Sequence, residues 1–124
     1  MRPPVRRWAP AAVWALFLLF LGTRPPDSLP DVEWWLSRYD KVIHAAMYGI
    51  AGVLAAWAAR LRPAAALLLG ALWGAAWGGI DEFLQGRIAG RDADWVDWIA
   101  DVLGAAAGAW LCARTFPRGQ RSSD

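Results

Sequence analysis

Apolar and polar positions alternate in blocks along the chain. Four apolar stretches run at about 8–23, 42–60, 63–84 and 95–113, separated by segments rich in Pro, Arg and Asp. Each holds roughly 16 to 22 residues, which at 1.5 Å per helical residue approaches the thickness of a bilayer's hydrocarbon core. The pattern predicts an all-α integral membrane bundle of four transmembrane helices, a single domain over 1–124. Between the first two helices, Pro25, Pro26 and Pro30 precede Asp31-Val32-Glu33-Trp34-Trp35-Leu36. Asp31 is placed to cap a short interfacial helix there, its two indoles in the headgroup layer. From Pro117 the tail turns polar, with Arg118, Arg121, Ser122 and Ser123.

The first block follows Arg2, Arg6 and Arg7, as the apolar region of a signal peptide would. It closes on Leu21-Gly22-Thr23-Arg24-Pro25-Pro26 without a small-x-small cleavage site, and so reads as a retained helix.

Composition reinforces a lipid environment. Hydrophobic residues make up 57% of the chain and charged residues only 19%, more apolar surface than a small soluble core can enclose. The net charge of +2 is spread between apolar blocks and forms no basic stripe, which argues against nucleic acid. The one Cys, Cys112, permits no internal disulfide, and with the one His it offers no structural zinc spacing. Heavy use of Ala, Gly, Trp and Arg, with Lys41 as the one lysine, fits a GC-rich bacterial genome.

Basic residues set an expected orientation. With a cytoplasmic N-terminus, the inner segments carry Arg2, Arg6, Arg7, Arg60, Arg62, Arg114, Arg118 and Arg121; the outer ones carry Arg24, Arg38, Lys41, Arg87 and Arg91. The excess inside favours both termini in the cytoplasm of a multi-pass inner-membrane protein. Trp8, Trp57 and Trp110 then fall near the inner interface, and Trp34, Trp35, Trp95 and Trp98 near the outer one.

Three polar clusters lie at helix ends on that outer side. Asp40, Lys41, His44 and Tyr48 open the second helix; Asp40, His44 and Tyr48 share a face roughly 80° wide. Asp81, Glu82 and Gln85 close the third, where Asp81 and Gln85 continue the line of Gly70, Gly74 and Gly78. On the fourth, Asp94, Asp97, Asp101, Gly104 and Gly108 follow at spacings of 3, 4, 3 and 4. Small residues four apart let helices approach closely, so acids in register with them face protein. Asp101, almost two turns into its helix, costs about 2.5 to 3.5 kcal/mol to insert and needs a partner or water. His44, Lys41, Arg87 and Arg91 are the available partners.

Interfacial anchoring, loop solvation or an Arg91–Asp97 ion pair explains any one of these residues. Those explanations leave the alignment of the whole set with the glycine faces unaccounted for.

The order Asp40-Lys41-x-x-His44-x-x-x-Tyr48, Asp81-Glu82-x-x-Gln85, Gly90-Arg91, Asp97 and Gly104 resembles the VanZ-like family of small bacterial membrane proteins. The match covers about 40–108. The resemblance makes Asp40, Lys41, His44, Tyr48, Asp81, Glu82, Gln85, Arg91 and Asp97 equivalent to the family's signature residues. One departure is Asp101, where the family usually has Asn. The resemblance implies a membrane location, a link to the cell envelope and an association with resistance to the glycopeptide teicoplanin; it implies no particular reaction.

These residues suggest a polar site for the headgroup of an envelope lipid or lipid-linked cell-wall precursor. Lys41 and Arg91 suit phosphate. His44, Glu82 and Asp97 suit proton transfer, because an imidazole titrating near neutrality and partly buried carboxyls are effective acids and bases. Asp40, Tyr48, Asp81, Gln85 and Asp101 complete the binding set. The cluster holds no Ser or Cys nucleophile, which leaves acid–base or carboxylate–metal chemistry, with no metal ligand assigned and no cofactor identified. The alternative is a non-enzymatic envelope factor that docks a partner. A proton-coupled transporter ranks behind both, because the inner helix halves offer mostly Ala, Leu, Gly and Trp.

Overall fold

A computed structural model describes residues 4–23, 33–87 and 94–116. Its elements are α1 (Pro4–Arg7), α2 (Ala9–Gly22), α3 (Glu33–Ala59), α4 (Pro63–Gln85) and α5 (Trp95–Thr115). Asp31, Arg91 and the tail from Pro117 lie outside the described residues.

Local sequence explains most of the boundaries. Pro10 and Pro63 stand in the first turns of α2 and α4, where a missing N–H is no loss. Ala59 is followed by Arg60 in the left-handed region at φ 55°, which stops α3 and turns the chain towards α4. Asp94 caps α5 by accepting from the Val96 N–H at 2.9 Å. A short helical segment does precede the second span. The helix runs from Glu33 into α3 with a kink at Tyr39, whose φ of −114° and ψ of 16° are not helical.

Among the described residues, three helices are long and apolar enough to cross a membrane: Tyr39–Ala59, Pro63–Gln85 and Trp95–Thr115. At 23 residues α4 extends about 35 Å. The 14-residue α2 is also apolar but extends only about 21 Å, short of a full hydrocarbon core.

Helix α5 packs closely against both α3 and α4, while α3 and α4 touch each other less and α2 lies against both of them. The order α3, α5, α4 places parallel helices side by side. Small residues make this possible. A Cβ on Gly104 would run into the backbone of Ala45, one on Gly108 into that of Gly49, and one on Gly52 into that of Ala105. On the other side of α5, a Cβ on Gly74 would stand 2.8 Å from the Ala105 Cβ and 2.9 Å from the Asp101 carbonyl oxygen. Backbones this close gain dispersion and Cα–H contacts that larger side chains would prevent.

The apolar interior is therefore mostly alanine and glycine. Ala51, Ala55, Ala66, Ala105 and Ala109 are buried, while Leu16, Phe20, Ile50, Leu68, Leu72, Phe83 and Leu103 are exposed. A water-soluble core would place the large groups inside. The reverse arrangement is compatible with a helical membrane bundle whose outer surface meets lipid. The largest fully buried side chains are carboxylates, Glu82 and Asp101.

Candidate functional site

The polar positions of three helices come together at one end of the bundle. The start of α3, the end of α4 and the start of α5 meet there, because α4 runs antiparallel to the other two. The backbone N–H of Asp94 donates to Glu82 Oε2 at 2.7 Å, fastening the first residue of the α5 cap to the last turn of α4.

At the centre is His44. Its Nδ1 lies 2.7 Å from Asp101 Oδ1, and its Nε2 lies 3.5 Å from Asp40 Oδ1 and 3.7 Å from Asp97 Oδ2. One imidazole thus links a turn of α3 with two successive turns of α5. The partner expected for Asp101 is found among the four that the sequence offered. In the tautomer that carries its proton on Nδ1, His44 donates to Asp101 and leaves Nε2 towards Asp40 and Asp97.

Lys41 occupies the outer rim. Its ammonium bonds to Asp94 Oδ2 at 2.7 Å and to Asp97 Oδ1, and it lies 3.5 Å from Asp40 Oδ2. The ammonium beside Asp94 holds that carboxyl below the usual aspartate range. The Lys41 charge is thus shared among three carboxylates. Asp97 pairs with Lys41, while the expected Arg91 partner lies outside the described residues. Arg87 stacks over the Phe83 ring, 4.7 Å from its centroid.

Glu82 and Asp101 form the inner layer. Both are 0% exposed. Together with His44, each brings one ligand-type atom to within 4.8 Å of the others; Asp40, His44 and Asp97 do the same at the rim. Tyr48, one turn further along α3, is buried within electrostatic reach of Asp81, Glu82 and Asp101.

Asp81 and Gln85 are buried on another side of α4. They meet the end of α2. A Cβ on Gly22 would collide with the Asp81 carboxylate and come 3.0 Å from Gln85 Nε2. Gly22 is thus part of the site's wall, a position that sequence reasoning missed. Its one signal was a glycine closing an apolar block immediately before Thr23. Trp98, in the first turn of α5, donates its indole N–H to the Ala75 carbonyl at 3.0 Å and ties α5 to α4.

No family model, curated protein or solved structure matches this chain. Among the described residues, the buried acids and amide, Asp81, Glu82, Gln85, Asp97 and Asp101, all lie at this one end. The arrangement can orient an imidazole between carboxylates, pass a proton between them, and attract a cation or hydrogen-bond donor. It is poorly suited to gripping an anion through Lys41.

Proposed function

We propose that this chain is a four-span, VanZ-like protein of the bacterial inner membrane, with both termini cytoplasmic. Its polar end, on the outer side, binds the headgroup of an envelope lipid or lipid-linked cell-wall precursor and acts on it by acid–base chemistry. The observation that carries this reading is the convergence of His44, Glu82, Asp97 and Asp101 at one end of three long apolar helices whose interior is mostly Ala and Gly. Buried carboxylates are costly within an apolar bundle, and helix packing alone does not require so many on one side.

The paired Asp101–His44–Asp97 arrangement supports proton transfer at Nε2. The excess of acids supports an amine- or hydroxyl-bearing headgroup over direct capture of phosphate. The engagement of Lys41 points the same way. A relay through the bilayer has less support, because the seams below the cluster are lined by Ala45, Gly49, Gly52, Ala105 and Gly108.

Lipid and muropeptide profiles of a deletion strain test the proposal, with teicoplanin susceptibility read alongside. Wild type should restore the profile and His44→Ala should not. Full rescue by a stably inserted His44→Ala protein would remove the acid–base role and favour a docking factor.

A further inference from the structure

Charge is distributed unevenly between the two layers of the polar cluster. At the rim, Asp40, Asp94 and Asp97 share the Lys41 ammonium. Inside, Glu82 and Asp101 are completely buried, and among the described residues no Lys or Arg reaches either of them. Each also keeps one buried oxygen, Glu82 Oε1 and Asp101 Oδ2, without a hydrogen-bond partner. The buried Tyr48 hydroxyl is unpartnered as well. Orphaned carboxylate oxygens out of contact with water are expensive, and the usual remedies are a proton, an ordered water or a cation.

We propose that His44, Glu82 and Asp101 form a binding site for one divalent first-row transition-metal ion of the Zn2+ or Mn2+ class. Ligand-type atoms of all three residues already lie within 4.8 Å of one another. One imidazole with two carboxylates is a mixed nitrogen–oxygen set, which favours such ions over Mg2+ or Ca2+, whose sites are built from oxygen. A neutral imidazole, two carboxylates and a divalent ion sum to zero charge, which suits a site with two fully buried carboxylates.

The surrounding residues complete the arrangement. Coordination through Nδ1 replaces its hydrogen bond to Asp101 and moves the ring proton to Nε2. That nitrogen faces Asp40 at 3.5 Å and Asp97 at 3.7 Å. These are the outer carboxylates that a metal-bound histidine ordinarily needs to hold its tautomer and ring plane. Lys41, bonded to Asp97, fixes that outer layer. Tyr48 supplies a hydroxyl one turn from His44, available to a metal-bound water.

The test uses the full-length protein in detergent, stripped with chelator and dialysed against Zn2+ or Mn2+ alone. Binding of about one equivalent is expected. Glu82→Gln should weaken it more than about 100-fold, and the outer-layer change Asp40→Asn by about 10-fold. Absence of saturable uptake by wild type, or uptake unaffected by Glu82→Gln, would overturn the assignment. If Glu82→Gln does not fold, X-ray absorption of metal-loaded wild type decides. Imidazole scattering with oxygen neighbours supports the site, and its absence refutes it. Metal uptake needs no lipid headgroup, so its failure and the failure of headgroup binding are separate results.

Discussion

His44 on α3 and Asp101 on α5 face each other across the closest helix pair of the bundle, with Nδ1 and Oδ1 2.7 Å apart. Because Asp101 is wholly buried, removal of one partner strands the other in a poorly solvated place. We expect a double-mutant cycle of His44→Ala and Asp101→Ala to give a coupling of about 1.5 to 3 kcal/mol in reversible unfolding from detergent. Additive losses would show that the two residues do not depend on each other.

Gly104→Leu and Gly74→Leu should be poorly tolerated. Gly104 lies against the Ala45 backbone and Gly74 against α5, so a branched side chain forces the helices apart. The expected loss is at or above the upper end of ordinary overpacking, about 3 kcal/mol. Leu68, exposed on α4, provides the comparison: Leu68→Ala should shift thermal stability in detergent far less. Equal tolerance of all three changes would argue against close backbone packing.

Gly22 is expected to limit the approach of α2 to the polar end. Gly22→Val places its branches on Asp81 and Gln85, so α2 must move outwards. The expected readout is weaker cysteine crosslinking between α2 and α4, with α3–α5 crosslinks retained. Unchanged α2–α4 crosslinking would show that the contact is not close.

The Lys41–Asp94 pair gives a signed pH dependence. The folded Asp94 carboxyl titrates below its unfolded value, so its contribution is fully present above the unfolded pKa of about 3.9 and is lost as pH falls through the folded value. Lys41→Met should flatten this part of the acid-unfolding curve. Added salt should do the same to wild type, because both side chains at the rim are partly open to solvent. An acid limb identical in Lys41→Met and wild type would contradict the pairing.

The proposed orientation also yields a direct measurement. A C-terminal green fluorescent fusion should be bright and a C-terminal alkaline phosphatase fusion inactive. An active phosphatase fusion with a dark fluorescent one would reverse the sidedness of the polar end.

The helices were most legible where punctuation coincided with the apolar pattern. Pro63 marks the first residue of α4 and Asp94 the cap of α5. The start of α3 was harder to read, because the apolar run begins near Val42 while the helix extends back through a polar stretch to Glu33. Alignment of Asp101 with Gly104 and Gly108 indicated a protein-facing side, but spacing on one helix cannot name the neighbour. That required seeing Ala45 and Gly49 across the seam. The neighbours of Lys41 are hidden from spacing for a similar reason. Its type suits phosphate, and only the fold brings Asp94 and Asp97 to it.

The position of α5 between α3 and α4 bears on biogenesis. During synthesis α3 and α4 leave the ribosome before α5, as consecutive segments joined by the turn at Arg60, yet each packs more closely against α5 than against the other. Their glycine faces and the Glu82 carboxylate remain without their final neighbours until α5 is translated. The newborn hairpin is therefore an incomplete intermediate at the insertion machinery, and α5 enters as the keystone. A ribosome stalled before α5 should leave a hairpin readily degraded by membrane proteases, whereas one stalled just after it should not.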